Sequence, residues 1–119
     1  MQQYSEKMRL NGHRISVVPT MGYLHAGHLS LIRLAKQNAD IVITTVFVNP
    51  AQFSPEEDFE KYPRDVNRDV AMSESAGSDV VLSPGVDEMY NHNYLIFINV
   101  ESISSLLEGQ FRQTHFRGV

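Results

Sequence analysis

Val17-Val18-Pro19-Thr20-Met21-Gly22-Tyr23-Leu24-His25-Ala26-Gly27-His28 is the stretch on which the reading of the fold turns. The largely β-branched run at residues 15–18 predicts a strand, Pro19 is expected to stop it, and Gly22 permits a tight bend. Leu29, Leu31, Ile32, Leu34 and Ala35 then recur at helical spacing, which predicts a helix over 24–38 that Asn38-Ala39-Asp40 closes. His25 and His28 open that helix. Its first backbone N–H groups lack intrahelical acceptors and its dipole is positive there, so the turn attracts anions, and Gly27 lets a ligand come close to the backbone. Two imidazoles three residues apart share a face, where they can donate hydrogen bonds to phosphate oxygens or give up a proton as charge develops. The turn is therefore a candidate phosphate site.

Two plainer readings compete with it. A His-x-x-His pair can bind zinc, but the chain has no cysteine and the turn offers no acidic third ligand, so no metal site is expected. The histidines could also be incidental surface residues beside turn-forming glycines. Placement after a buried-type strand and at a helix start favours the phosphate site, because the mechanism needs the residues there.

The 119 residues and 42% hydrophobic content suffice for one domain with a core. Fourteen acidic against ten basic side chains give a formal charge of −4, which argues against a nucleic-acid partner or an anionic membrane surface. Without cysteine there is no disulfide framework and no thiolate chemistry. With no apolar run of about 18 residues and no signal-like start, the expectation is a cytoplasmic protein with no membrane association.

Residues 1–12 have a weak helical pattern closed by Asn11-Gly12. Residues 41–48 are almost continuously apolar and β-branched, as in a central parallel strand covered on both faces. That strand ends in Asn49-Pro50-Ala51-Gln52-Phe53, an abrupt change to amide side chains. Ligands of open α/β sheets bind beyond the carboxyl ends of the strands, so Asn49 and Gln52 are candidate ligands beside the histidine turn. For Asn49 alone an Asx-type turn is the competing account. Residues 54–65 form an acidic loop anchored by Phe59 and Tyr62, either solvated or the rim of a pocket with Arg64. A helix over 65–76 is predicted from Asp65 as N-cap, Gly77 as C-cap and Val66 and Val70 one turn apart. Residues 79–82 are a third strand, broken by Ser83-Pro84-Gly85. Alternation of short strands and helices implies right-handed crossovers and a parallel sheet. Further on, 87–93 is a polar loop, 94–100 a strand candidate, 102–107 a helical turn ended by Gly109, and 107–119 a basic, aromatic, turn-rich tail whose plainest reading is a surface loop.

H-x-G-H after a first strand resembles the signature of the nucleotidylyltransferase superfamily. The longer string Pro19-Thr20-Met21-Gly22-Tyr23-Leu24-His25-Ala26-Gly27-His28-Leu29-Ser30-Leu31-Ile32 is similar to one family within it, the pantothenate synthetases or pantoate:β-alanine ligases. The resemblance extends through Phe47-Val48-Asn49-Pro50, Gln52-Phe53, Glu57-Asp58, Tyr62-Pro63-Arg64, Pro84, Glu88-Met89-Tyr90, Leu107-Glu108-Gly109, Arg112, His115-Phe116 and Gly118-Val119. It implies a Rossmann-like parallel sheet flanked by helices, with residues 1–119 as an N-terminal ATP- and pantoate-binding domain. The implied reaction is ATP-dependent condensation of pantoate with β-alanine through pantoyl adenylate, Mg2+ accompanying the triphosphate. Carried over by position, Met21, Gly22, Tyr23, Leu24, His25, Ala26, Gly27 and His28 would line the ATP site, His28 as proton donor and His25 as phosphate ligand. Gln52, with Asn49 and Tyr62, would bind pantoate and β-alanine, and Arg112 would contact phosphate.

Other superfamily transferases share the histidine turn but have no reason to carry the Asn-Pro-x-Gln-Phe and Tyr-Pro-Arg strings. The departures from the family are two. Gln113-Thr114 replaces an expected Pro-Gly between Arg112 and His115. The chain also lacks the family's leading strand, its Lys-Asp ATP loop, a second pantoate glutamine and a C-terminal domain. The expectation is an N-terminal portion of the enzyme that is catalytically dead or nearly so alone; the non-enzyme alternative is a mere folding and association module that binds ligand weakly at most. Its cut sheet should favour a homodimer.

Overall fold

The computed structural model describes residues 1–53, 59–90, 94–112 and 115–119. The chain divides into two compact units, one of Met1–Phe47 with Pro63–Pro84, the other of Val48–Tyr62 with Gly85–Val119.

The first unit is α/β. It contains α1 (Gln2–Leu10), β1 (Ile15–Thr20), α2 (Ala26–Asn38), β2 (Ile41–Val46), α3 (Val66–Ala76) and β3 (Val80–Leu82). The strands form one parallel sheet in the order β1-β2-β3, with Ile15 opposite Ile41 and Ile43 opposite Val80. The parallel sheet with flanking helices is the architecture expected from the alternating pattern. As the apolar run implied, β2 is the central strand and is buried along nearly its whole length. It ends two residues earlier than expected, where the Phe47 N–H turns to the Thr20 carbonyl at 3.0 Å.

Pro19 does not stop β1. The strand continues through it to Thr20, because among the described residues β1 pairs with β2 along one side only, and a proline is tolerated on such an edge. Val18, Ile32, Val42 and Ala76 make the core, with Leu29 and Ala35 against it. The helical period of α2 is therefore confirmed at Leu29, Ile32 and Ala35, whereas Leu31 and Leu34, with Val17 of β1, line an exposed groove of about 390 Å³. Asp65 caps α3 by accepting from the Arg68 N–H at 3.1 Å, and Gly77 ends it at φ +105°, both as expected. The inward face of α3 is not the one centred on Val66: that residue is exposed, and Asp69, Ser73 and Ala76 are buried instead. Behind the sheet, the Asp79 carboxylate accepts from the Val42 N–H and, through both oxygens, from Lys36 Nζ, each bond at 2.8 Å, tying β2 to α2.

The second unit is built from short turns. Pro50–Gln52, Phe59–Lys61, Ile103–Ser105 and Leu107–Gln110 are 3₁₀ turns, and α4 (Val86–Met89) and α5 (His115–Gly118) are single-turn helices. The strand expected at 94–100 is absent. Leu95, Ile96 and Ile98 are mostly exposed and no neighbouring strand among the described residues shares their backbone hydrogen bonds, without which a strand does not persist. Tyr94 and Phe97 instead stack edge to face, 5.3 Å apart, with the Arg117 guanidinium 4.2 Å from the Phe97 ring. The tail is more structured than a surface loop: Gly118 packs so closely on the backbone of Ala51 and Gln52 that a Cβ has no room. Phe59 and Tyr62 are anchors as expected, each edge-on to Phe53 at 5.3 and 5.7 Å. Glu57-Asp58, Asn91-His92-Asn93 and Gln113-Thr114 lie outside the described residues. No helix among the described residues is long and apolar enough to cross a membrane.

Candidate functional site

The turn from Thr20 to His28 lies wholly in the first unit, between the end of β1 and the start of α2. Thr20 Oγ1 donates to the Thr45 carbonyl at 2.6 Å and accepts from the Gly22 N–H at 3.2 Å, so the strand end itself begins the turn. Gly22 has φ +85° and Tyr23 φ +51°, two successive left-handed residues of which only the first is a glycine. Leu24 is buried, anchoring the turn in the core, while Met21 is half-buried and Tyr23, His25, Ala26 and Gly27 are exposed.

His25 is the N-cap of α2. Its Nδ1 accepts from the Gly27 N–H at 3.1 Å, and His28 Nδ1 accepts in return from the His25 N–H at 3.3 Å. This reciprocal cap satisfies two of the orphan donors at the helix start with imidazoles instead of the usual hydroxyl and carboxylate. A backbone N–H can only donate, so both Nδ1 atoms are unprotonated and each neutral ring carries its proton on Nε2. The rings lie 4.0 Å apart between centroids. Burial lowers the His28 pKa below the ordinary 6.5, repulsion between the two imidazoles when both are charged lowers it further, and Asp69 opposes both. At neutral pH His28 is therefore a neutral Nε2–H donor, and its imidazolium, once formed, is a stronger acid than ordinary histidine. Gly27 is a glycine for a local reason: a Cβ there would stand 2.9 Å from His25 Cε1 and 3.1 Å from Nδ1.

One residue of this site was not anticipated. Asp69 on α3 is only 1% exposed. Its Oδ2 accepts from the Tyr23 N–H at 2.7 Å and its Oδ1 from the Leu24 N–H at 2.8 Å. Arg68 Nη1 stands 3.9 Å from Oδ1, and its guanidinium carbon 5.2 Å from the centre of the Tyr23 ring. An acid one turn before Ser73 and two before Ala76, on the small-residue face of α3, is the signal that points to it.

Asn49, Gln52, Tyr62 and Arg112 belong to the second unit. Asn49 makes the Asx-type turn that competed with its role as a ligand: Oδ1 accepts from the Ala51 N–H at 3.0 Å. Oδ1 also accepts from the Tyr90 hydroxyl at 2.9 Å, and Nδ2 donates to the Gly118 carbonyl at 2.8 Å, so its amide fastens three segments. Gln52 is brought to Arg112 and His115 through its backbone carbonyl, which accepts from Arg112 Nη2 at 3.0 Å and from His115 Nδ1 at 3.3 Å. Arg112 also pairs with Glu108 at 3.4 Å.

Comparison with known proteins bears on the whole chain. The profile of the family described as Pantoate-beta-alanine ligase matches residues 1–119. The chain is 51% identical over 114 residues to the pantothenate synthetase of Thermoanaerobacter sp. (strain X514), covering 96% of this chain and 40% of that protein. It is 48% identical over 119 residues to the pantothenate synthetase of Geobacter sulfurreducens, covering 100% of this chain and 42% of the relative. The chain thus spans about two-fifths of the length of the curated relatives it matches. Among solved structures, pantothenate synthetase from Thermus thermophilus superposes with TM-score 0.84 at 47% identity, over 87% of this chain and 38% of that one. Pantoate-beta-alanine ligase from Francisella tularensis, complexed with beta-gamma ATP and beta-alanine, gives TM-score 0.87 at 37% identity over 98% and 46%. With its strand, its capped histidine turn and a profile match over residues 1–119, the chain belongs to the pantoate-beta-alanine ligase family.

Proposed function

We propose that this chain supplies the H-x-G-H part of an ATP-dependent ligase that condenses (R)-pantoate with β-alanine to pantothenate. In this reading a pantoate carboxylate oxygen attacks the ATP α-phosphorus and pyrophosphate leaves, giving pantoyl adenylate. The β-alanine amine then attacks the acyl carbon and AMP leaves. The observation that carries the reading is the reciprocal cap of His25 and His28, which holds two Nε2–H donors at the N-terminus of α2. Adenylation builds charge on the α-phosphate and on the departing pyrophosphate, and donors set in place beforehand stabilise that charge more than the ground state. His28 is assigned as the proton donor, through the Nε2–H that the cap leaves pointing away from the helix start, and His25 as a phosphate ligand. Met21, Gly22, Tyr23, Leu24, Ala26 and Gly27 complete the ATP-binding turn.

Gln52, Asn49 and Tyr62 are assigned to pantoate and β-alanine, whose oxygens suit amides that both donate and accept. Arg112 is assigned to phosphate. Mg2+ is assigned to the reaction as the companion of the ATP triphosphate. A cytoplasmic homodimer completes the reading, favoured by the exposed Val17, Leu31 and Leu34; a monomer by sedimentation at micromolar concentration removes that part.

A titration with ATP and with pantoate, followed through the His25 and His28 ring protons, tests the assignment. Saturable shifts with both ligands support a preformed half-site, and silence with both refutes it for this chain. Because the chain spans about two-fifths of the length of its relatives, turnover by these 119 residues alone is expected to be negligible, and rates typical of an intact ligase would contradict that.

A further inference from the structure

We infer that Asp69 is a positioning residue for the histidine turn: its buried carboxylate holds the Tyr23 and Leu24 amides and so sets where the His25–His28 cap stands. The inference rests on the phosphate-site reading only for its ligand arm; its geometric part stands by itself.

Thr20 holds the start of the turn and the reciprocal cap its end; between them Asp69 holds the Tyr23 and Leu24 amides. Tyr23 is an exposed non-glycine residue at φ +51°, a left-handed conformation that crowds its Cβ and persists only where the surroundings enforce it. Asp69 supplies that enforcement through two hydrogen bonds of 2.7 and 2.8 Å, lengths typical of an ionised acceptor. Gly22 belongs to the same device. A Cβ at Gly22 would lie 2.9 Å from Asp69 Oδ2 and 3.0 Å from Val46 Cγ1, so the carboxylate reaches the Tyr23 amide only because position 22 has no side chain. A buried carboxylate that accepts from the amide of Leu24, the residue just before the N-cap, acts on the helix start through the backbone. His25 follows Leu24 directly, so whatever fixes the Leu24 amide fixes the origin of α2.

Asp69→Asn is the informative variant. It keeps one acceptor oxygen and the shape of the side chain but turns an NH2 group toward one of the two amides. In the isotopically labelled chain, the β1, β2 and β3 amide signals should be retained, reporting an intact sheet. The Tyr23 or Leu24 amide proton should move upfield, and the Nδ1 and Nε2 nitrogens of His25 and His28 should drift toward the average of a tautomer mixture. ATP affinity should fall about tenfold or more, as for donors displaced by part of an ångström. A folded Asp69→Asn chain with unchanged ring tautomers overturns the inference. Failure of ATP to bind the wild-type chain removes the functional reading above and leaves this test intact, since the ring signals decide it. If the variant does not fold, amide exchange in the wild-type chain decides: Tyr23 and Leu24 amides protected as strongly as the β1 ladder support the restraint, and free exchange at both overturns it.

Discussion

Gly22→Ala is expected to be among the most damaging single-methyl additions to the first unit, and Gly12→Ala is its matched control. Both glycines occupy the left-handed region, at φ +85° and φ +83°. Alanine at either costs about 1–2 kcal/mol for the backbone conformation alone. At Gly12 nothing lies within 4 Å of the added Cβ, so the cost stops there. At Gly22 the methyl meets Asp69 Oδ2 at 2.9 Å and Val46 Cγ1 at 3.0 Å, and the carboxylate must give way. Displacing it from the Tyr23 N–H removes one charge-assisted hydrogen bond in a buried site, about 1.5–3 kcal/mol more. The total of about 2.5–5 kcal/mol is a large share of the roughly 5–15 kcal/mol that holds a domain together. Urea and thermal unfolding followed by circular dichroism measure both variants against wild type. Gly22→Ala should melt about 5–15 °C below Gly12→Ala. If the two lose the same stability to within about 0.5 kcal/mol, the packing of Asp69 against the turn contributes nothing and the reasoning fails.

Gly27→Ala separates binding from stability: its φ lies outside the left-handed region and alanine favours a helix by up to about 1 kcal/mol, so the fold should hold. The methyl nonetheless pushes the His25 ring off its cap, and ATP binding should weaken; undiminished binding would show that the cap is dispensable. Asp79→Asn should cost about 1 kcal/mol in urea unfolding, discounted because its side chain and that of Lys36 are 37% and 41% exposed. Although burial raises the Asp79 pKa, its bonds from Lys36 and the Val42 N–H outweigh burial and lower it overall, so its contribution is present above the unfolded carboxylate pKa and is lost as pH falls through the lower folded value. The variant should therefore show a shallower acid loss of stability than wild type, and equal acid profiles would count against the pairing. Because burial lowers the His28 pKa, its ring-proton titration should centre below pH 6.5, and stability should decline as pH drops from 6.5 toward that midpoint, where the unfolded chain takes up the proton first. A midpoint at or above 6.5 contradicts the cap.

Short-range chemistry made much of this protein legible in its sequence. The β-branched run of β2 needs burial on both faces wherever it sits, Asp65 and Gly77 satisfy the ends of α3 by bonds within a few residues, and H-x-G-H at a helix start presents orphan amides and imidazoles together by spacing alone. The same local patterns misjudged Pro19, which is harmless on a strand paired along one side, and residues 94–100, which have strand composition but no strand beside them among the described residues. Neither outcome is a property of the residues themselves; both depend on which backbone groups find partners across the fold. Asp69 is the clearest case. As a letter in the sequence it is one more acid on an amphipathic helix, and the apolar spacing of Val66 and Val70 draws attention to a different face. Only the packing of α3 brings its carboxylate to amides 46 and 45 residues earlier in the chain. A charge excluded from water must find donors, and tertiary structure alone decides that those donors belong to the turn that carries His25 and His28.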